Sequence, residues 1–177
     1  MTPSRSTPIR TARLVLRPSE PDDATRAFAI QSNWNVTRNL RMASWPPERA
    51  QLDAWFATHA GEWRDGTAYR FAMVLDRAMI GLIDLDEIAN REGDIGYWLD
   101  EGHWGKGFAF EAASALVSFA FSSAALTALN SGHAADNAAS GKVLAKLGFQ
   151  RVDAVSLWYK ARGAPCPHLR YRLRAAL

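Results

Sequence analysis

A chain of 177 residues, 48% hydrophobic and 22% charged, is long enough to bury one core and is composed like an ordinary globular domain. Its net charge of +3 is scattered, so it argues only weakly for an acidic partner such as nucleic acid. No stretch approaches the ~18 apolar residues of a membrane span, and the single Cys166 forms no internal disulfide. A cytoplasmic protein with neither a membrane nor a nucleic-acid partner is the expectation.

Residues 1–9 lack the apolar centre of a signal peptide and read as a short flexible arm, leaving 10–177 as a single domain. Residues 12–17 (ARLVLR) alternate in polarity and predict a first strand. Asp22 and Asp23 follow, where a helix start favours negative charge. The section 33–70 holds Trp34, Trp45, Trp55 and Trp63, a WPP breaker and an amphipathic run, which together predict helix, loop, helix. YRFAMVL and AMIGLIDLDEI flank a DRA turn and predict a hairpin; DIGYWLD, after the polar turn ANREG, predicts another strand. A glycine loop at 102–107 then feeds an apolar helix over 108–121. ALTALNSGH predicts a strand, and NAASGKVLAKLGF a helix closed by Gly148.

RVDAVSLWYKARG and HLRYRLRA predict a final antiparallel pair. Within it Arg170, Arg172 and Arg174 alternate with Leu169, Tyr171 and Leu173, the pattern of a half-buried strand with a solvated face. Cys166, between Pro165 and Pro167, reads as a loop residue without a positioned base. With no repeat and no linker, the elements predict an α/β fold: a mixed sheet with helices on both faces.

The glycine loop, GHWGKGFAFEA over 102–112, matches neither of two well-known phosphate motifs. Lys106 is followed by Gly107, where a P-loop needs Ser or Thr for magnesium. The third glycine of a dinucleotide fingerprint would fall at Phe110, whose ring would block close helix–strand packing. What remains is strand, WGKGFA, helix. Gly105 and Gly107 let successive backbone N–H groups share one concavity with the free amides of the next helix, an anion site made of main chain. An ordinary strand-to-helix turn explains the same glycines equally well.

The neighbours decide between them. TARLVLRP at 11–18, MIGLIDL at 79–85, DIGYWLDEGHWGKGFAFEA at 94–112, DNAASGKVLAKLGF at 136–149 and the closing HLRYRL occur in one order over most of the chain. In this the chain resembles the GNAT superfamily of acyl-CoA-dependent N-acetyltransferases, and within it the RimJ/RimL-like ribosomal-protein N-terminal alanine acetyltransferases. The resemblance implies a GNAT fold, with a mostly antiparallel twisted sheet and a splayed strand pair holding acyl-CoA. It implies acetyl-CoA as co-substrate and an amine acceptor (a peptide N-terminus or a small molecule); a homodimer is left open. The four histidines (59, 103, 133, 168) share no metal-ligand spacing, so no metal is expected. The loop residues Trp104, Gly105, Lys106, Gly107, Phe108 and Ala109 match the family's pyrophosphate loop. Trp104 stands where Gln or Arg is usual, so backbone amides would carry the binding, with Lys106 a point charge beside them or simply a solvated loop lysine.

Amide formation from acetyl-CoA requires deprotonation of the ammonium, stabilisation of the oxyanion and protonation of the thiolate, and no protein nucleophile. The resemblance implies that the strand at 95–99 splays from that at 126–132, with Trp98 and Leu99 lining the thioester; both also read as core residues. Asn137 would bond the pantetheine arm and Ser140 would protonate the thiolate, although the pair equally reads as an N-cap and its third helical residue. Many members use a tyrosine one turn later in that helix; here Leu144 occupies its place, which favours Ser140. Asp94 is the candidate base, with Glu92, Asp84, Asp86 and Asp153 as rivals. His133 is placed to relay a proton, and His103 reads as a loop residue. The tryptophan-rich section 33–63 would form the acceptor side. A catalytically idle GNAT-fold module, sensing acyl-CoA or binding a protein, is the alternative left open by the absent tyrosine.

Overall fold

The computed structural model describes Pro3 and residues 8–175. Residues 1, 2 and 4–7 of the expected arm lie outside the described residues. Strands β1 (Ile9–Arg10) and β2 (Val15–Pro18) are joined by a turn in which Thr11 N–H donates to the Leu14 carbonyl at 2.9 Å. That turn takes up the first half of the strand expected over 12–17. Ile9, assigned to the arm, instead pairs with Leu16.

Helix α1 (Asp23–Gln31) starts at the expected acidic pair, but Asp22 makes no side-chain cap. Asp23 does more: its carboxylate accepts from Glu20 N–H at 2.8 Å and from both terminal guanidinium nitrogens of Arg17. Helices α2 (Trp34–Thr37) and α3 (Arg49–Asp65) bracket the WPP segment as expected. Strands β3 (Tyr69–Leu75), β4 (Ala78–Ala89) and β5 (Glu92–Leu99) form a meander. Its turns place Asp76, Arg77, Asn90 and Arg91 at positive φ, the twist that matches two-residue hairpins. A single 3-10 turn (Glu101–His103) leads through the glycine loop into α4 (Phe108–Ser122).

Strand β6 (Ala128–Ala134) begins later than expected because Ala125 turns left-handed, at φ 54°. Helix α5 (Ala138–Lys146) ends at Gly148, whose φ of 87° lets Phe149 N–H reach back to the Leu144 carbonyl at 3.1 Å. Strands β7 (Gln150–Tyr159) and β8 (Ala164–Arg174) close the chain. Strand β8 starts early enough to include Cys166, which is a buried strand residue and not the loop residue expected. The flanking prolines are tolerated because this end of β8 runs past its last rung with β6, Ala134 to His168, and so behaves as an edge.

The strand order is β1-β2-β3-β4-β5-β6-β8-β7, antiparallel throughout except where β5 meets β6. Side chains alternate between two cores. Phe71, Met73, Ile83, Leu85 and Ile95 face α4 and α5, whereas Ala72 and Leu82 face α1 and α3. Helices therefore cover both faces of a mixed sheet, as predicted. Among the described residues no helix is long and apolar enough to cross a membrane.

Candidate active site

The parallel pair β5–β6 has only three rungs: Glu92 to Ala128, Gly93 to Leu129 and Asp94 to Asn130. Beyond Asp94 the strands part. One hydrogen bond, from Ser131 Oγ to the Ile95 carbonyl at 2.9 Å, bridges the opening. A cavity of about 480 Å³ occupies the split, between Ile95–Leu99 on one side and Ser131–His133 on the other. The glycine loop and the start of α4 close one end, α5 forms a wall, and Val36, Asn39 and Leu40 approach from the α2 side. That last segment is tied down by Arg162, which donates to the Arg38 carbonyl at 2.6 Å while binding Asp136, and by Lys160 N–H donating to the Arg41 carbonyl.

The loop is shaped from both sides. Gly105 and Gly107 have φ of 73° and 82°, the left-handed region that costs other residues strain. Gly107 caps α4 with no side-chain bond, so the first amides of the helix, which have no intrahelical partner, are presented by bare backbone. Trp104 turns back and donates from Nε1 to the Leu99 carbonyl at 3.0 Å, pinning the loop to the end of β5. The β1–β2 turn braces the outside. Arg13 donates to the Lys106 carbonyl at 2.9 Å and to Glu111 at 2.7 Å, with its guanidinium 4.4 Å from the Phe108 ring centre. Burial pushes the Glu111 carboxyl up, but hydrogen bonds from Thr11 and Arg13 and the Arg13 charge outweigh it, and its pKa is lowered.

Of the residues expected at the site, Trp98, Leu99, Trp104, Gly105, Gly107, Phe108, Ala109, Asn137 and Ser140 all line the cavity. Lys106 does not; its ammonium donates to the Gly102 carbonyl at 2.8 Å, on the outer side of the loop. Asp94 also lies off the cavity lining, on the last rung before the strands part. Its pKa is raised, mainly by burial and then by Glu87, against a hydrogen bond from Asn130. Its rivals are committed elsewhere: Glu92 to Arg172, Asp153 to Arg170, and Asp84 and Asp86 to Arg70. Among the described residues Asp94 makes no ion pair.

Asn137 caps α5 by accepting from Ser140 N–H at 3.4 Å. Leu144 is fully buried in the core, turned away from the cavity. His133 has both ring nitrogens engaged, Nδ1 donating to the Ala134 carbonyl and Nε2 facing the Tyr171 hydroxyl at 3.3 Å. The tryptophans divide: Trp63 packs in the core against Tyr69 and Phe71, while Trp34 and Trp45 meet edge-on at 5.1 Å and stay half-exposed.

Among the cavity residues that the sequence reading did not name, one makes a specific contact with an expected site residue. Tyr97 projects from β5 and sets its hydroxyl 2.9 Å from Ser140 Oγ and 3.3 Å from the Ser140 carbonyl. Burial pushes its pKa up to about 12, the contact with Ser140 opposing. Tyr97 stands two residues before Leu99 in GYWL, a spacing that puts both on one face of a strand; only the packing of α5 decides what it meets.

Residues 13–150 match the family model described as an acetyltransferase (GNAT) domain. The uncharacterized N-acetyltransferase YoaA of Bacillus subtilis (strain 168) is 30% identical over 161 residues, 89% of this chain and 90% of its own. Among solved structures, the ribosomal L7/L12 α-N-protein acetyltransferase RimL in complex with coenzyme A superposes with a TM-score of 0.84 at 19% identity, covering 95% of this chain and 98% of that one. RimJ of Mycobacterium smegmatis, in complex with CoA-disulfide, gives 0.81 at 22%, covering 96% and 86%. At such identities the structural likeness establishes the fold.

Proposed function

The chain belongs to the GNAT acetyltransferase family, and we propose that it moves acetyl from acetyl-CoA to a primary amine by direct attack in a ternary complex. The observation that carries this reading is the split between β5 and β6, with a bare-backbone anion cradle at one end of its cavity. The pyrophosphate of the co-substrate would take the amides of 104–109 and the start of α4, where aligned N–H groups and the helix dipole favour negative charge. The pantetheine arm would run along the β5 edge beyond Asp94, where the ladder to β6 stops. Trp98 and Leu99 would flank the thioester there, and a backbone N–H of this edge would meet the oxyanion.

Ser140 would return a proton to the departing thiolate, while Asp94, the candidate carboxylate outside an ion pair, would draw the proton from the acceptor ammonium directly or through water. An α-amine, with a pKa of about 8, needs only modest help. The neighbours named for ribosomal-protein α-N acetylation support a protein N-terminus as the acceptor, entering past Val36, Asn39 and Leu40. A cytoplasmic location belongs to the same reading.

The test is release of free thiol from acetyl-CoA across N-terminal peptides, aminoglycosides and polyamines. Turnover is expected with peptides, and Ser140→Ala and Asp94→Asn should each lower kcat by roughly 10²- to 10⁴-fold, with coenzyme A affinity kept. No thiol release with any amine would overturn the reading. So would a bound coenzyme A whose diphosphate lies away from the amides of 104–109.

A further inference from the structure

We infer that Tyr97 is the positioning residue for thiolate protonation, its phenol backing Ser140 as the serine gives its proton to the leaving sulfur; this rests on the reading of Ser140 as the acid. The geometry is specific. The phenolic oxygen is 2.9 Å from Ser140 Oγ and 3.3 Å from the Ser140 carbonyl, and it makes no other hydrogen bond among the described residues. The carbonyl can only accept. At rest, therefore, the two hydroxyls have two arrangements: the phenol donates to Oγ, or the serine donates to the phenol while the phenol donates to the carbonyl. The first is the one that relays a proton, and rotation of the two hydroxyls converts the second into it.

Both side chains line the same cavity, and Tyr97 comes from β5 while Ser140 comes from the wall opposite it. An aliphatic hydroxyl is a very weak acid, so a serine working alone would have to develop an alkoxide in a half-dry site. The phenol removes that requirement. As the C–S bond breaks, sulfur takes the Ser140 proton; the S–H bond forms and the Oγ–H bond breaks. Oγ in turn takes the hydrogen of Tyr97, leaving a phenolate. Even with its pKa raised to about 12, the phenol is a far stronger acid than an alcohol. The phenolate is refilled through solvent by the proton the acceptor ammonium gave up, so the net reaction is ammonium plus thioester to amide, thiol and one proton. Leu144, one turn on in α5, is fully buried in the core and has no proton to give.

The experiment compares wild type, Tyr97→Phe, Ser140→Ala and the double variant with acetyl-CoA and an active peptide amine. Tyr97→Phe keeps the ring and removes only the hydroxyl. It should lower kcat by roughly tenfold to a hundredfold, the lower part of the range for a positioned acid, and leave KM and Kd for acetyl-CoA within about twofold. The double variant should be no slower than Ser140→Ala. The rate of wild type in mixtures of light and heavy water should curve, as two protons in flight require, and that of Tyr97→Phe should be a straight line. The mixed-water measurement on wild type needs no variant to fold. A straight line for wild type overturns the inference, and so does a Tyr97→Phe enzyme with unchanged kcat or with its loss confined to KM. If Ser140→Ala slows and Tyr97→Phe does not, the role of Tyr97 alone falls. If wild type turns over no amine, the acetyltransferase reading falls and takes the inference with it.

Discussion

Replacing Gly107 by alanine tests whether the cradle is made of backbone. Gly107 sits at φ 82° as the cap of α4, and an added Cβ would meet only the far end of Arg13, at 3.4 Å from Nη2. That side chain is flexible, so crowding contributes little and the cost is conformational: about 1–2 kcal/mol for an L-residue held left-handed. If the free loop relaxes and binding forces it back, that energy is lost from affinity, which corresponds to about a five- to thirtyfold rise in Kd for coenzyme A. If the free loop keeps its shape, the cost falls on stability instead, and the thermal midpoint drops by about 2–8 °C for a chain of this length. Trp104→Phe is the control. It removes the bond from Nε1 to the Leu99 carbonyl, a contribution of about 1 kcal/mol to stability, and leaves every loop amide in place. Calorimetric titration of coenzyme A into both variants decides between them. If Trp104→Phe weakens binding as much as Gly107→Ala, or if Gly107→Ala both binds and melts like wild type, the backbone cradle is refuted.

Two further outcomes concern the scaffold. The Glu111 pKa is lowered from 4.5 in the folded chain, so its ion pair contributes stability above that value and loses it as pH falls through the folded pKa. Glu111→Gln should therefore melt below wild type at neutral pH, with the gap closing in acid; a gap that is constant with pH contradicts the assigned partners. At Gly132 an added Cβ would lie 2.1 Å from His168 Nε2 and 2.9 Å from the Leu169 carbonyl. Gly132→Ala should cost about 1–3 kcal/mol by overpacking, read as a shifted denaturant midpoint, and an unchanged midpoint would contradict the close packing of β8 on Gly132.

The legible parts of this chain were those written in local pattern. Alternation in YRFAMVL and AMIGLIDL reports two faces of a strand whatever the strand packs on, and the paired residues Asp76 and Arg77 close the hairpin between them. The β1–β2 turn was less legible because a hydrogen-bonded turn at Thr11–Leu14 has no glycine or proline to mark it. Cys166 was misplaced because two prolines ordinarily break a strand, and nothing local says that this stretch is an edge. Within the site, the resemblance named nine residues that line the cavity, yet the two whose charges mattered most to the reading, Lys106 and Asp94, lie off it. A residue's type and place in a motif do not say which way its side chain leaves the loop, and Lys106 leaves outward to Gly102.

By itself, then, the sequence determined the elements, the two-faced sheet and the glycine loop with its bare amides. These follow from periodicity and from the φ angles that only glycine adopts cheaply, both properties of neighbouring residues. The splay of β5 from β6 was implied by the resemblance; the tertiary structure decided where it begins, after the rung from Asp94 to Asn130, and it alone decided that Arg13 reaches 98 residues along the chain to brace Glu111. It alone brought the phenol of Tyr97 against Ser140, 43 residues away. Those are contacts between surfaces, set by how α4 and α5 pack on the sheet, and no local pattern encodes them.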